Sequence, residues 1–196
     1  MISTKRTAWF LLLLVLPLLH GCLAVIAGGA AIGASVSHDR RSIGTVFDDK
    51  NIQLTATDAI NHDKEIALKN NVYVVVFERQ LLLIGEVRTA ELKQRAEKLA
   101  SGIEGVRRMI NEIEVREPEG FGSRRRDDLL TAQVKTALLN IVDLPDFDPT
   151  RVNVSSAHRV VYLMGLVKHN EDERVTEIAR NVRGVDRVVK VFEYTD

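Results

Sequence analysis

Few residues of this 196-residue chain have types that can do chemistry: one cysteine, five histidines and a short Ser-Ser-x-His run. Cys22 sits in LLHGCLAVIAGG, between two uncharged stretches. His20, His38, His62, His158 and His169 are scattered, and none lies at metal-ligand spacing beside a second ligand. His158 follows Ser155 and Ser156 closely. Neighbours along an extended chain do not make a nucleophile and its base, and no third group orients them, so the reading there is a solvated turn. No glycine-rich phosphate loop is present. The expectation is a chain with no catalytic residues, no metal and no cofactor, in which Cys22 is an attachment point.

What precedes Cys22 supports that. Lys5 and Arg6 give a positive start, Ala8 to Leu19 is almost wholly apolar, and Gly21 is a small residue before the cysteine. Positive, apolar, then small is the layout of a secretory signal. Leu19-His20-Gly21-Cys22 resembles a bacterial lipobox, which implies an acylated cysteine (diacylglyceryl and palmitate) opening the mature chain at residue 22, with 1–21 removed. The residue after it, Leu23, is not aspartate, which resembles the rule for sorting to the outer membrane. An uncleaved anchor is the alternative, because no charged residue occurs from Ala8 to Ser37, enough to cross roughly 30 Å of hydrocarbon as a helix. Pro17 and the AGGAAIGAS run oppose it. Both readings place the remainder outside the cytoplasm.

Losing Lys5 and Arg6 leaves 25 basic against 27 acidic residues. That balance excludes a general nucleic-acid binder, which needs a basic surface.

The elements behind the anchor come in two copies. Val72, Val74, Leu81, Leu83, Gly85 and Val87 recur eighty residues on as Val152, Val154, Val161, Leu163, Gly165 and Val167. With one residue removed the register continues, Gly105-Val106 meeting Gly184-Val185 and Ile113 meeting Phe192. Upstream, Ile52, Ala56, Ala59 and Ile60 meet Leu130, Val134, Ala137 and Leu138. Such self-similarity is a duplication. Apolar spacing predicts helices over 52–60 and 130–141, strand pairs over 72–87 and 152–167, amphipathic helices over 90–102 and 170–182, and closing strands over 109–115 and 188–194. The expected class is α+β: two tandem αββαβ domains, each a three-stranded mixed sheet with two helices on one face. The second strand should pair antiparallel with the first and parallel with the third. The expected divisions are signal 1–21, lipidated tether 22–46, first domain 47–116, linker 117–126 and second domain 127–196. Gly85 and Gly165 should serve the second strands, and Gly105 and Gly184 left-handed caps after the second helices; all four are structural.

Strand, Gly-x-Val, amphipathic helix, Gly-Val and strand, twice over, resemble the BON domain, a bacterial envelope module. The lead-in DRRSIGTVFDD (Asp39–Asp49) and the YLMGLV strand (Tyr162–Val167) sharpen the likeness to dual-BON outer-membrane lipoproteins. The hairpin turns depart from it, reading FERQ (Phe77–Gln80) and SAHR (Ser156–Arg159) where glycine is usual. The resemblance implies a non-enzymatic protein that supports outer-membrane integrity at the division septum. It also implies binding of anionic phospholipid (phosphatidylglycerol, cardiolipin) through the first helix of the second domain.

The residues speak to the same helix. Over Asp128–Val142, at about 100° per residue, Leu130, Val134, Ala137, Leu138 and Ile141 form the stripe expected to face the sheet. Leu129, Ala132, Thr136 and Leu139 point away from it, and Gln133 beside them is a further candidate for lipid contact. The matching outward positions of the first copy, Asn51, Leu54, Asp58 and Asn61, are mostly polar, so outward leucines are expected only in the second. Arg124, Arg125 and Arg126 precede the helix and Lys135 flanks it, while Asp127 and Asp128 suit a helix N-terminus. Apolar groups beside basic ones fit an interfacial helix on anionic lipid. The same stripe would equally suit packing on the first domain, on a second molecule or on an envelope protein partner, making the chain an adaptor.

Overall fold

A computed structural model describes residues 42–68 and 70–196. The signal, Cys22 and most of the tether lie outside them. The first copy runs α1 (Ile43–His62), a short α2 (Lys64–Ala67), β1 (Asn71–Phe77), β2 (Gln80–Val87), α3 (Ala90–Ser101), β3 (Arg108–Asn111) and β4 (Glu114–Val115). The second runs α4 (Phe121–Leu139), a 3-10 turn, β5 (Val152–Ala157), β6 (Val160–Val167), α5 (His169–Asn181) and β7 (Arg187–Tyr194). In each copy the middle strand pairs antiparallel with the first and parallel with the last, as expected. The single residue lost between copies is in the loop before the second helix: Arg88 and Thr89 precede α3, but Lys168 alone precedes α5.

Both leading helices begin earlier than their hydrophobic period does. α1 starts at Ile43, inside the expected tether, because Ser42 caps it by accepting from the Thr45 amide at 3.0 Å. α4 starts at Phe121, inside the expected linker, with the amides of Ser123 and Arg124 donating to the Gly120 carbonyl at 3.0 and 3.3 Å. It ends at Leu139 rather than Val142. The closing strand of the first copy is broken where the Asn111 side chain accepts the Ile113 amide.

The glycine-free hairpin turns are resolved by two aspartates. Glu78 and Arg79, like His158 and Arg159, all have positive φ, between 49° and 61°. That is the backbone of a type I′ turn, which glycine or asparagine normally supplies. Buried Asp49 on α1 accepts the amides of Glu78 and Arg79 at 2.8 and 2.7 Å, and buried Asp127 on α4 accepts those of His158 and Arg159, both at 2.9 Å. Charge-assisted hydrogen bonds of this kind offset about 1–2 kcal/mol of left-handed strain per residue. Asp127 is therefore a turn anchor, not the N-terminal helix acid expected of it, since α4 has already made more than a turn before reaching it.

Gly85 and Gly165 sit where the first strand passes closest. A Cβ on Gly85, at φ +113°, would lie 1.9 Å from the Asn71 carbonyl, and one on Gly165 would lie 2.8 Å from that of Arg151. Gly105 and Gly184 also take positive φ, 89° and 102°. They lie in the loops leading to β3 and β7, however, beyond the true caps at Gly102 and Val182.

Each copy has its own core under its helices. Ile52, Ala56, Ile60, Leu81, Leu83 and Ala96 belong to the first, and Leu130, Val134, Leu138, Val161, Leu163 and Val175 to the second. A third core joins the copies: Phe77, Leu82 and Ile84 from one sheet pack with Ala157, Val160, Tyr162, Met164 and Val191 from the other. The sheets thus stack by the faces their helices leave bare, with helices outermost. Burial on both faces explains why β2 is buried along its whole length. At the rim Gln80 donates to Glu193 at 2.6 Å, Arg107 pairs with Glu193, and Arg187 reaches Glu114 at 3.4 Å.

Candidate functional site

α4 is positioned by its buried side. Leu130, Val134 and Leu138 pack into the second core while Asp127 holds the β5–β6 turn, and together they fix the rotation of the helix. The opposite side faces solvent: Arg124, Arg125, Arg126, Leu129, Ala132, Gln133, Lys135, Thr136 and Leu139 are all exposed. Leu129 and Leu139 are each 63 % exposed, and Val142 just beyond the helix is 92 % exposed. Thr136 turns its hydroxyl back to the Ala132 carbonyl at 2.8 Å, so it presents its methyl outward with little polar demand.

The longer helix adds Phe121, 64 % exposed, with the Arg125 and Arg124 guanidiniums 4.9 and 5.9 Å from its ring centre. Phe121, Arg125, Leu129, Ala132, Thr136 and Leu139 then fall on one stripe along the full helix at about 100° per residue. Two cavities flank it. One, of about 450 Å³, is lined by Leu129, Gln133 and the arginines Arg126, Arg159 and Arg183. The other, of about 400 Å³, lies between Lys135, Leu138 and Leu139 of α4 and Phe77 of the first copy. The sequence pattern does not point to Phe121, which lies in a Pro- and Gly-containing stretch ahead of the apolar period, nor to Arg159 and Arg183, which arrive from a turn and a loop far along the chain. Arg159 is tied to Asp186 at 2.9 Å.

The first copy differs from expectation. α1 exposes Ile43, Phe47 and Leu54, at 64, 70 and 59 %. Outward apolar groups are therefore not confined to the second copy; the early start of α1 supplies Ile43 and Phe47, which precede the repeat-matched positions.

The two αββαβ units coincide with two matches to the BON domain model, over residues 48–117 and 126–196. The chain belongs to the BON-domain family. Outer membrane lipoprotein DolP of Haemophilus influenzae is 35% identical over 178 residues, 91% of each chain. The 21 kDa hemolysin of Actinobacillus pleuropneumoniae is 33% identical over 156 residues, 80% of this chain and 79% of that one. Osmotically-inducible protein Y of Escherichia coli is 27% identical over 164 residues, 80% of this chain and 77% of that one. Across both BON units the described residues contain no helix long and apolar enough to cross a membrane.

Elsewhere in the second BON unit, His158 is not the solvated residue expected of a turn. It is half-buried and its Nδ1 lies 2.6 Å from a Glu119 carboxylate oxygen. Asp172 on α5 is buried as well. Burial pushes its carboxyl up, and hydrogen bonds from Tyr194, Lys190 and Thr176 more than reverse this, leaving it below the usual carboxylate range. Burial also raises the Tyr162 hydroxyl well above the ordinary tyrosine value.

Proposed function

We propose that this protein is a non-enzymatic envelope lipoprotein, held by an acyl chain on Cys22 to the periplasmic side of the outer membrane, whose α4 contacts anionic phospholipid. One observation carries the reading: the full length of α4 turns Phe121, Leu129 and Leu139 to solvent among Arg124, Arg125, Arg126 and Lys135. An apolar stripe flanked by cations is what inserts into a headgroup layer bearing negative charge. In the flanking cavity Arg183 joins Arg126, adding one further donor where phosphates of phosphatidylglycerol or cardiolipin would sit. The name of the Haemophilus relative supports the location, and the family resemblance supports a role in outer-membrane integrity at the division site.

The test is sedimentation of residues 37–196 with neutral vesicles, with and without phosphatidylglycerol, at low and high salt. Binding only to anionic vesicles, released by salt, is the expected result. Protein that stays in solution throughout overturns lipid contact by α4. A second reading, an adaptor that binds an envelope protein, is favoured by the Ile43, Phe47 and Leu54 stripe on α1, which has no arginine cluster beside it within the helix. Retention of α1 contacts in high salt would mark that class of partner.

A further inference from the structure

We infer that Glu86, Glu119 and His158 form a divalent-cation site, suited to zinc, that clips the two domains together. Glu86 comes from β2 of the first domain, Glu119 from the segment between the domains, and His158 from the β5–β6 turn of the second. One ligating atom from each lies within 4.8 Å of the others. A zinc ion about 2 Å from each donor would draw them to roughly 3.3 Å apart, a contraction that carboxylate rotation supplies. One imidazole with two carboxylates is a donor set that zinc accepts, leaving a fourth position for water.

The surroundings ask for a cation. Glu86 is buried, and Asn71 donates to its Oε2 at 3.0 Å. The same Asn71 amide donates to the Glu119 carbonyl at 2.9 Å, which holds the segment in place as an outer partner would. The other carboxylate oxygen of Glu119, Oε2, is buried with no hydrogen-bond partner. So is the hydroxyl of Ser156, two residues before His158. The two neighbouring carboxylates share one imidazole within the cluster, and the unpartnered Glu119 oxygen is a free acceptor that a bound cation would satisfy. A cavity of about 230 Å³, lined by Glu86, Ser156, Tyr73 and Arg124, opens beside Glu86. His158 is also held independently of any ion, because Asp127 accepts its amide. The backbone that carries the imidazole is therefore held in place, which lowers the ordering cost of binding there.

None of this follows from ligand spacing along the chain, since 72 residues separate Glu86 from His158. It follows from sheet stacking, which brings the end of β2 beside the second domain's hairpin turn. A bound ion would make docking of the domains depend on metal, adding its binding free energy to the assembled form alone.

The experiment uses the full chain in detergent, stripped with chelator and titrated with zinc chloride, reading thermal unfolding and calorimetric binding. Binding of one ion per chain is expected, with Tm raised by about 5–10 °C at a hundredfold excess over Kd. Glu119→Gln and His158→Asn should each reduce that shift to within error while leaving the metal-free Tm within a few degrees; asparagine suits the positive φ of residue 158. His169→Gln, which alters the exposed pair with Asp196, should leave the shift intact. No Tm shift, or one that survives both site variants or vanishes with His169→Gln, overturns the site. Loss of vesicle binding with zinc binding intact would count against the lipid reading alone.

Discussion

α1 and α4 hold equivalent places in the two domains and use them differently. Both are turned inward by three apolar residues and one buried aspartate, Asp49 or Asp127, that grips the neighbouring hairpin. Outward they part. α4 carries apolar groups from Phe121 to Leu139 with four cations among them, whereas α1 has Ile43, Phe47 and Leu54 in its first part and then Asp58 and Asn61. The duplicated fold thus repeats what the backbone requires and leaves the solvent side free to change.

The comparison breaks first at the shared core. Tyr162→Ala should cost about 3–5 kcal/mol and its counterpart Leu82→Ala about 2–5, each lowering one common urea transition. Two separate transitions would show that the domains are stable apart. Asp49→Ala and Asp127→Ala come next, at about 3 kcal/mol each, since each strips charged acceptors from two strained amides; similar losses in urea titrations would show the two anchors to be equivalent. Asp172 sharpens the contrast between the second helices. Its folded pKa is depressed, so its contribution is fully present above the unfolded value of about 3.9 and is lost as pH falls through the lower folded value. Asp172→Asn should remove that part of the acid transition followed by circular dichroism. The smallest stability effect, within about 0.5 kcal/mol, belongs to Leu129→Ser with Leu139→Ser. That pair should nevertheless abolish sedimentation with anionic vesicles, while Ile43→Ser with Phe47→Ser leaves it unchanged.

Element order, strand pairing and the outward stripe of α4 were legible because each rests on a local period of apolar residues. Helix starts were not, because Ser42 and Gly120 open their helices through backbone and capping bonds well before any apolar repeat begins. Asp49 and Asp127 stood at the same repeat spacing as Ile52 and Leu130, so the pairing was visible. Its purpose needed the positive φ of turns that lie 29 to 32 residues along the chain from the aspartates. The stacked sheets were hidden for another reason: alternation marks one buried face per strand, and strands as uniformly apolar as QLLLIGEV fit several kinds of burial. What gathers Glu86, Glu119 and His158 is that stacking, which no window of sequence contains.

The back-to-back sheets carry a consequence for anyone who cuts the chain between its copies. Either half, released alone, would display an oily sheet face bearing Leu82 and Ile84 or Tyr162 and Met164, large enough to glue stray molecules together. Expressed singly, such fragments should pair with themselves or precipitate, and their behaviour toward lipid would report that stickiness rather than the chemistry of α4.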